Sequence, residues 1–367
     1  MNTGEGDDKM IYAPIIIPTL CRSKHFIRLI ESLKKNSWAC HTDVYIGVDY
    51  PPSEKYEKGW REINEYLEVG NFSVFNKFVV FKRDCNWGAL KNSRALMQYV
   101  INRYDRWIRT DDDCEFSENF LEYMDKCLFR YEKDESIVAV TGYSYPVDWT
   151  ANENTTCFLQ NFNVSTWGLG FWKEKYVQMK ETITSGIMLK KAEDYVKEGL
   201  YNQMLDVSLI EYFGAVAAIR KRSLMMRVTD VAMRAYLAVE GKYCISPIVS
   251  KVRNCGFDGS GCYCSKIDAN SDCEAQRYDY SKQIIDCNNS FDVSLDDDVE
   301  HLSDNRRKLN IFDSRPSKDV RHAYRIIWLI KHCGLSSAKL FHNICLLFRK
   351  VKKIFYSQTR SSSAKKE

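Results

Sequence analysis

The segment IRTDDDCEFSENF, residues 108–120, ends a short apolar stretch in three consecutive carboxylates, Asp111, Asp112 and Asp113. At the end of a β-strand such side chains present hard oxygen ligands on the rim of a sheet. Hard oxygens suit Mg²⁺ or Mn²⁺, ions that also take phosphate oxygens. The plainer alternative is a solvated acidic turn. A second run, Asp296 to Asp298 in SLDDDVEHLSDN, has polar neighbours and no strong strand before it, so it reads as a charged loop. Context therefore assigns chemistry to the first run only. TWGLGFW, residues 166–172, pairs two Trp with two Gly in a loop. Aromatic faces stack on the C–H faces of sugars, and Gly permits close backbone approach. A buried aromatic turn is the alternative, with more weight for Trp172 than for Trp167.

The elements that must position these groups follow from apolar periodicity. Strands are predicted over 11–18, 43–49, 77–81, 106–110 and 136–141. Helices are predicted over 23–36, 54–67 and 88–101, with another reaching Arg130 and capped by Ser117. Strands alternating with helices over the first 140 residues indicate an α/β fold with a mainly parallel sheet and helices on both faces. In such sheets ligands bind outside the carboxyl ends of the strands. Thr19, Asp49, Asn86 and Asp111 all lie just past predicted strands and should meet along one rim. Beyond residue 150 the pattern is less regular. A strand is expected from Cys157 towards Val164, a helix over 229–240 and a strand over 243–245. Residues 255–314 are polar and turn-rich, with weak periodicity.

In this order, IPTLCR (17–22), GVD (47–49), NWGALKNSR (86–94) and RTDDDCEF (109–116) resemble the GT-A glycosyltransferases, enzymes with a Rossmann-like nucleotide-binding domain and an Asp-x-Asp-like motif. Residues 228–261, VTDVAMRAYLAVEGKYCISPIVSKVRNCGFDGSG, resemble a segment of bacterial polysaccharide-biosynthesis sugar transferases. The resemblance covers about residues 11–265. It implies a nucleotide diphosphate sugar donor, a saccharide or lipid-linked saccharide acceptor, and inversion at the anomeric carbon. By position, it puts Thr19 and Arg22 beside the nucleotide and Asp49 at the base or ribose. Asn86, Gly88 and Arg94 would lie near the nucleotide-sugar, Asp111 and Asp112 would face ribose and sugar, and Asp113 would ligate Mn²⁺ or Mg²⁺. Trp167 and Gly168 would border donor sugar and acceptor. Taken singly, Asn86 and Gly88 can also be a simple turn, Arg94 a surface residue and Asp49 the cap of the next turn.

Asp230, at the start of a predicted helix, can take the proton of an acceptor hydroxyl. An Asp in a first turn is also favoured by the helix dipole alone. Asp206 and Glu211 are the fallback bases. RNCGFDGSGCYC, 253–264, is Gly-rich and can close over a diphosphate. Related segments often place a His here, whereas this one has Phe257 and Tyr263, and no His lies between His41 and His301. Asp258 is a weak substitute ligand. Cys255, Cys262, Cys264 and Cys273 lack the paired C-x₂-C spacing of zinc knuckles, so zinc is not expected.

The chain has 367 residues, 45% hydrophobic and 28% charged, which suits a packed core with a soluble surface. Its net charge of +4 is unevenly placed. Residues 314–367 hold 13 Lys or Arg against 2 Asp or Glu, a net of +11, while the rest nets −7. Three parts are expected: a GT-A domain over 1–265, a polar connection over 266–313 and a basic amphipathic helical tail over 314–367. The tail interleaves apolar residues (Ile326, Ile327, Trp328, Ile330, Leu346, Leu347, Phe348, Ile354 and Phe355) with Lys and Arg, which suits an anionic membrane surface. Packing on the catalytic domain is the alternative, and nucleic acid is not expected as a partner. No secretory signal, spanning segment or disulfide framework is evident, so a cytoplasmic protein, peripheral on the inner face of the membrane, is the expectation. Two other functions compete: a sugar nucleotidyltransferase, whose Gly-rich signature IIIPTLCRSKH lacks, and a non-catalytic carbohydrate- or membrane-binding protein, against which the Asp triplet weighs.

Overall fold

The computed structural model describes residues 10–200, 209, 212–213, 228–261, 283, 285–312, 325–345 and 347–348. The chain forms two compact units. One comprises Met1–Gln178 with Lys242–Asp313, and the other Met179–Gly241 with Ser314–Glu367. The division thus falls at 178 and 241 rather than at 265, and the stretch before 313 belongs to the first unit.

In that unit the strands are Ile15–Thr19 (β1), Asp43–Val48 (β2), Lys77–Lys82 (β3), Arg106–Arg109 (β4), Cys114–Phe116 (β5) and Ile137–Thr141 (β6). They continue with Cys157–Gln160 (β7), Leu169–Trp172 (β8), Tyr243–Pro247 (β9), Val252–Asn254 (β10) and Leu295–Asp296 (β11). Nine of them form one sheet in the order β11-β7-β9-β6-β8-β4-β1-β2-β3. β3, β2, β1 and β4 are mutually parallel. β8 runs antiparallel to both β4 and β6, and β7 antiparallel to β9. The helices are Ser23–Lys34 (α1), Glu57–Val69 (α2), Ala89–Ile101 (α3), Phe120–Arg130 (α4) and, near the end of this unit, Val299–Phe312. The result is the expected α/β architecture: a central, mostly parallel, Rossmann-like sheet flanked by helices.

The residues explain this layering. Ile15, Ile16 and Ile17 are all fully buried, as a central strand covered on both faces requires. Ile15 and Ile17 join Phe26, Leu29 and Leu33 of α1 in the main core cluster. Ile16 points to the opposite face by strand alternation, and α3 packs along β1 and β2.

Three expectations are corrected, and one helix was not foreseen. Ser117 does not cap α4; Asn119 holds the N-cap position, and its amide reaches Asp286 and the Ser290 carbonyl at 3.0 Å each. Half of TWGLGFW is not loop but β8, in the middle of the sheet. There Trp172 is core, its indole N–H donating to the Leu128 carbonyl at 2.8 Å. In the acidic run at 296–298, Asp297 and Asp298 are exposed and outside regular structure, as expected of a charged loop, but Asp296 is not. Asp296 lies in β11, is buried, and accepts from Asn152 N at 2.7 Å and from Asp298 N at 3.0 Å, with His301 Nδ1 at 2.8 Å. Asp298 accepts from the Glu300 N–H at 2.7 Å, satisfying a free donor in the first turn of a helix that the polar sequence concealed.

The second unit contains Lys173–Thr184 (α5) from Met179 onward, Ile187–Lys197 (α6), Asp230–Glu240 (α7) and helical residues over 325–345, interrupted at Gly334, whose φ of +78° is left-handed. Its buried residues include Met188, Ala192 and Val196 of α6 and Ala232, Met233, Tyr236 and Leu237 of α7. Among the described residues no helix is long and apolar enough to cross a membrane.

Candidate active site

Successive crossovers from β1 lead through β2 to β3 on one side, and the chain then returns to place β4 on the other side of β1. The carboxyl ends of β1 and β4 therefore flank the point where strand order reverses, the usual crevice of an open α/β sheet. β1 ends at Thr19 and β4 at Arg109, so Thr19, Arg22 and the Asp triplet converge there.

The contacts are dense. Thr19 Oγ1 donates to Asp112 Oδ2 at 2.8 Å. Arg22, at the N-cap of α1, forks across both carboxylates. Its Nη2 donates to Asp112 Oδ1, and its Nη1 donates to Asp113 Oδ2 at 2.6 Å. Asp112 and Asp113 are each only 6% exposed. Burial pushes the Asp113 carboxyl upward, Arg22 pulls it back, and neighbouring Asp112 adds repulsion. Burial also works against the Arg22 charge, but the two carboxylates outweigh it and hold the guanidinium firmly protonated. Asp111 stands outside this trio, half-buried, and pairs with Arg109 at 3.2 Å.

The far side of Asp113 is built from the Gly-rich segment flagged at 253–264 together with Gln283 and His25, which sequence reasoning passed over. β5, directly after the triplet, pairs antiparallel with β10, putting Asn254 opposite Cys114. Asn254 Nδ2 donates to Asp113 Oδ1 at 3.3 Å, while its Oδ1 accepts from Gly256 N at 2.8 Å. Gln283 grips the Asn254 backbone from both ends, at 2.8 and 2.9 Å. Cys255 N donates to the Asp113 carbonyl at 2.7 Å. A Cβ on Gly256 would lie 2.0 Å from Asp113 Oδ2, so only glycine lets this backbone approach the carboxylate. His25, one turn along from Arg22, completes the surround. Its Nε2 lies 2.9 Å from Asp258 Oδ2 and 3.3 Å from Ser260 Oγ. Ser260 and His25 hold the Asp258 carboxyl at about 2 despite some cost of burial. The i, i+3 spacing of Arg22 and His25 was the available signal for His25; the Gly-rich run marked the segment of Asn254 but not its role, and nothing local marked Gln283.

The remaining positions form two further groups in this unit. Asp49, at the end of β2, is 2% exposed. It accepts from the N–H groups of Trp87 and Gly88 at 2.8 Å each, and Asn86 Nδ2 lies 3.4 Å away. It therefore orders the turn into α3, where Gly88 adopts φ +77°. Arg94 is exposed on α3. Trp167 is half-buried, edge-on to Tyr143 at 4.7 Å and to Phe257 at 6.1 Å. Gly168 accepts from Gly142 N at 2.7 Å.

Asp230 belongs to the second unit. It follows the N-cap Thr229, whose side chain accepts from Ala232 N at 3.2 Å, and it pairs with Arg234 at 3.3 Å while remaining half exposed. Asp206, Glu211, Cys262, Tyr263, Cys264 and Cys273 lie outside the described residues.

Among the described residues no group of three or more His, Cys, Asp or Glu could enclose a metal ion. An ion that arrives with a diphosphate needs less: one or two carboxylates, phosphate oxygens and water. The buried, negatively charged pair of Asp112 and Asp113 fits that requirement and does not fit a self-sufficient metal cage.

No protein family and no curated relative matches this sequence. Partial likeness to solved structures exists. A mannosyltransferase from Pyrobaculum calidifontis, in complex with GDP-Man and Mn²⁺, is 11% identical, with 44% of this chain and 45% of that one covered and a TM-score of 0.32. S. aureus TarS is 13% identical over 46% of this chain and 30% of its own, with a TM-score of 0.31. Mouse xyloside xylosyltransferase 1 is 12% identical over 46% and 69%, with a TM-score of 0.27. The chain spans less than half the length of the first two.

Proposed function

We propose that the first unit binds a nucleoside diphosphate sugar, and that the protein is a GT-A-type glycosyltransferase acting on a saccharide or lipid-linked saccharide. The observation that supports this best is the buried pair Asp112 and Asp113 at the strand-order reversal, cross-linked by Arg22. Two adjacent carboxylates cost free energy to bury unless compensated, and a single guanidinium leaves the trio one charge negative. Such a site suits a cation-bearing polyanion. A divalent ion held by Asp113 would neutralise charge on the departing diphosphate.

In this reading the chain's own groups divide the work. Arg22 supplies fixed positive charge where leaving-group charge develops. Thr19 and Asn254 fix the rotamers of Asp112 and Asp113, so little reorganisation is needed when the donor arrives. Asp49 orders the turn of Asn86 and Gly88, which with Arg94 and Asp111 would line the path of the nucleotide. Trp167 and Gly168 would border the transferred sugar. Asp230 is the proposed base for the acceptor hydroxyl in an inverting displacement, on the strength of its sequence context.

Calorimetric titration with a panel of nucleoside diphosphates, with and without Mn²⁺, tests the donor site. At least one nucleotide should bind in a Mn²⁺-dependent manner, and Asp113→Asn should remove the metal-dependent part. Unaltered metal-dependent binding in that variant would sink the assignment of Asp113. Asp230→Asn should lower turnover by roughly 10²–10⁴-fold while sparing donor affinity. Near-normal turnover at saturating substrates would remove Asp230 from the role.

A further inference from the structure

Helix α1 reaches Asp113 directly through Arg22, and a second time through His25 by a longer route. The two residues lie three apart, on one side of its first turn. Phe26, Leu29 and Leu33 anchor α1 in the main core, so that turn is a fixed frame. The longer route follows the chain after β10. Cys255 N still bonds the Asp113 carbonyl, at 2.7 Å. Past it the segment leaves β5 and folds into a turn, which Asp258 Oδ1 closes by accepting from Ser260 N at 2.9 Å. Asp258 Oδ2 lies 2.9 Å from His25 Nε2, and Ser260 Oγ lies 3.3 Å from the same nitrogen. An ionised carboxylate only accepts, so the Nε2 hydrogen points to Asp258. His25 is buried, whereas the Asp258 side chain is 50% exposed. A fixed donor on the helix thus docks an accessible turn.

Gly256 lies between that turn and β10, and its place sets the space around Asp113. A Cβ there would fall 2.0 Å from Asp113 Oδ2, the oxygen that accepts from Arg22 Nη1. Gly256 N also fixes the Asn254 amide by donating to its Oδ1 at 2.8 Å, and Asn254 Nδ2 reaches Asp113 Oδ1 at 3.3 Å. A turn lifted off α1 would draw Gly256 outward, release the Asn254 amide and unseat one side of Asp113.

We propose that His25 is a positioning residue for Asp113, acting through the turn of Asp258 and Ser260 and the backbone of Gly256. It keeps the carboxylate seated for a divalent ion and touches neither ion nor nucleotide. The consequence for the ion rests on the donor-site reading; the latch between His25 and the turn does not.

Amide hydrogen exchange of the full chain without ligand, read at Cys255 and Gly256, tests the latch. His25→Ala should speed exchange there about tenfold, the low end of what a hydrogen bond to a charged group is worth. Asp258→Ala, at an exposed position where no core is lost, should do the same, and the double variant should be no faster than either. His25→Gln should restore protection, because its Nε2 can reach where the imidazole Nε2 stood, and the shorter His25→Asn should not. Calorimetry of the same variants with UDP and with GDP, with and without Mn²⁺, then follows Asp113. The Mn²⁺-dependent part of binding should weaken about tenfold in both Ala variants and recover in His25→Gln, with metal-free binding unchanged. Parent-like exchange in both Ala variants overturns the proposal, as does additive acceleration in the double variant. Faster exchange with unaltered Mn²⁺-dependent binding overturns the link to Asp113. Loss of Mn²⁺ dependence in Asp258→Ala but not in His25→Ala would make Asp258 a ligand and also overturn it. If the parent binds neither nucleotide, it is the donor-site reading that fails, and exchange alone decides the latch.

Discussion

Arg22 stands at the centre of the residue-scale chemistry because it touches both carboxylates at once. A bidentate guanidinium holds their planes as well as their charge, which a lysine cannot do. Asp113 is further clamped by Asn254 and by the bare backbone of Gly256. That closeness gives a direct prediction. In Gly256→Ala the new methyl would meet Asp113 Oδ2 at 2.0 Å, so the carboxylate or the 254–256 backbone must move. We expect donor affinity to fall tenfold or more, with a stability cost of about 1–3 kcal/mol from overpacking. Calorimetry and thermal unfolding of one preparation check both. Parent-like donor affinity in a folded Ala variant would show that the position of Asp113 is not critical. The Asp triplet was legible from the sequence because strand periodicity put it past the end of β4, whereas Arg22 was singled out only by the family resemblance. The contacts of Asn254, Gln283 and Gly256 around Asp113 were not legible, although the Gly-rich run at 253–264 was flagged, since they form only through the pairing of β5 with β10, across more than 130 residues.

At the scale of elements, the carboxylate cluster depends on a segment that resembled a connector. Residues 285–296 run back along α4 and close the sheet edge with β11. Lys251, beside β10, is almost wholly buried, and its ammonium pairs with Asp286, which also accepts from Asn119 at the N-cap of α4. Lys126 and Arg130 of α4 donate to the carbonyls of Phe291 at 2.6 Å and Val293 at 3.2 Å. Removing one partner of a buried pair leaves the other charge uncompensated. Asp286→Ala is therefore expected to destabilise the protein by about 3–5 kcal/mol, read from urea unfolding curves. A loss below about 1 kcal/mol would mean that Lys251 finds water or another partner. Sequence periodicity could not announce this strap, because its stability comes from partners on β10 and α4 and not from an apolar stripe of its own.

At the scale of the whole molecule, the basic tail is not a simple appendage. Residues 314–367 share a compact unit with 179–241, and Ile326, Ile327 and Ile330 are buried there while Trp328 is exposed. Ile330→Ala should accordingly cost about 2–5 kcal/mol, the usual range for emptying a core position. Leu347→Ser, at an exposed site, should stay within about 0.5 kcal/mol of the parent. Equal effects at the two sites, measured by chemical unfolding, would contradict the assignment of Ile330 to packing and Leu347 to the exposed surface.

The amino-acid sequence by itself determined what local physics controls. Runs such as IIIPT and DVYIGV can only be buried strands, intervening amphipathic stretches can only be helices, and their alternation dictates a mostly parallel sheet with its functional rim at the carboxyl ends. That logic put Thr19, Asp49 and the Asp triplet on the rim, and the family resemblance added Arg22. Only the tertiary structure decided what depends on distant partners. It set Leu169–Trp172 antiparallel between β4 and β6, turned Asp296 and Asp298 into a strand residue and a helix cap, and wrapped Asn254 and Gly256 around Asp113. It also divided one apolar tail into buried and exposed halves. The physical reason is common to all of these: periodicity reports which face of an element is apolar, whereas the identity of the surface that meets that face is a property of the folded chain.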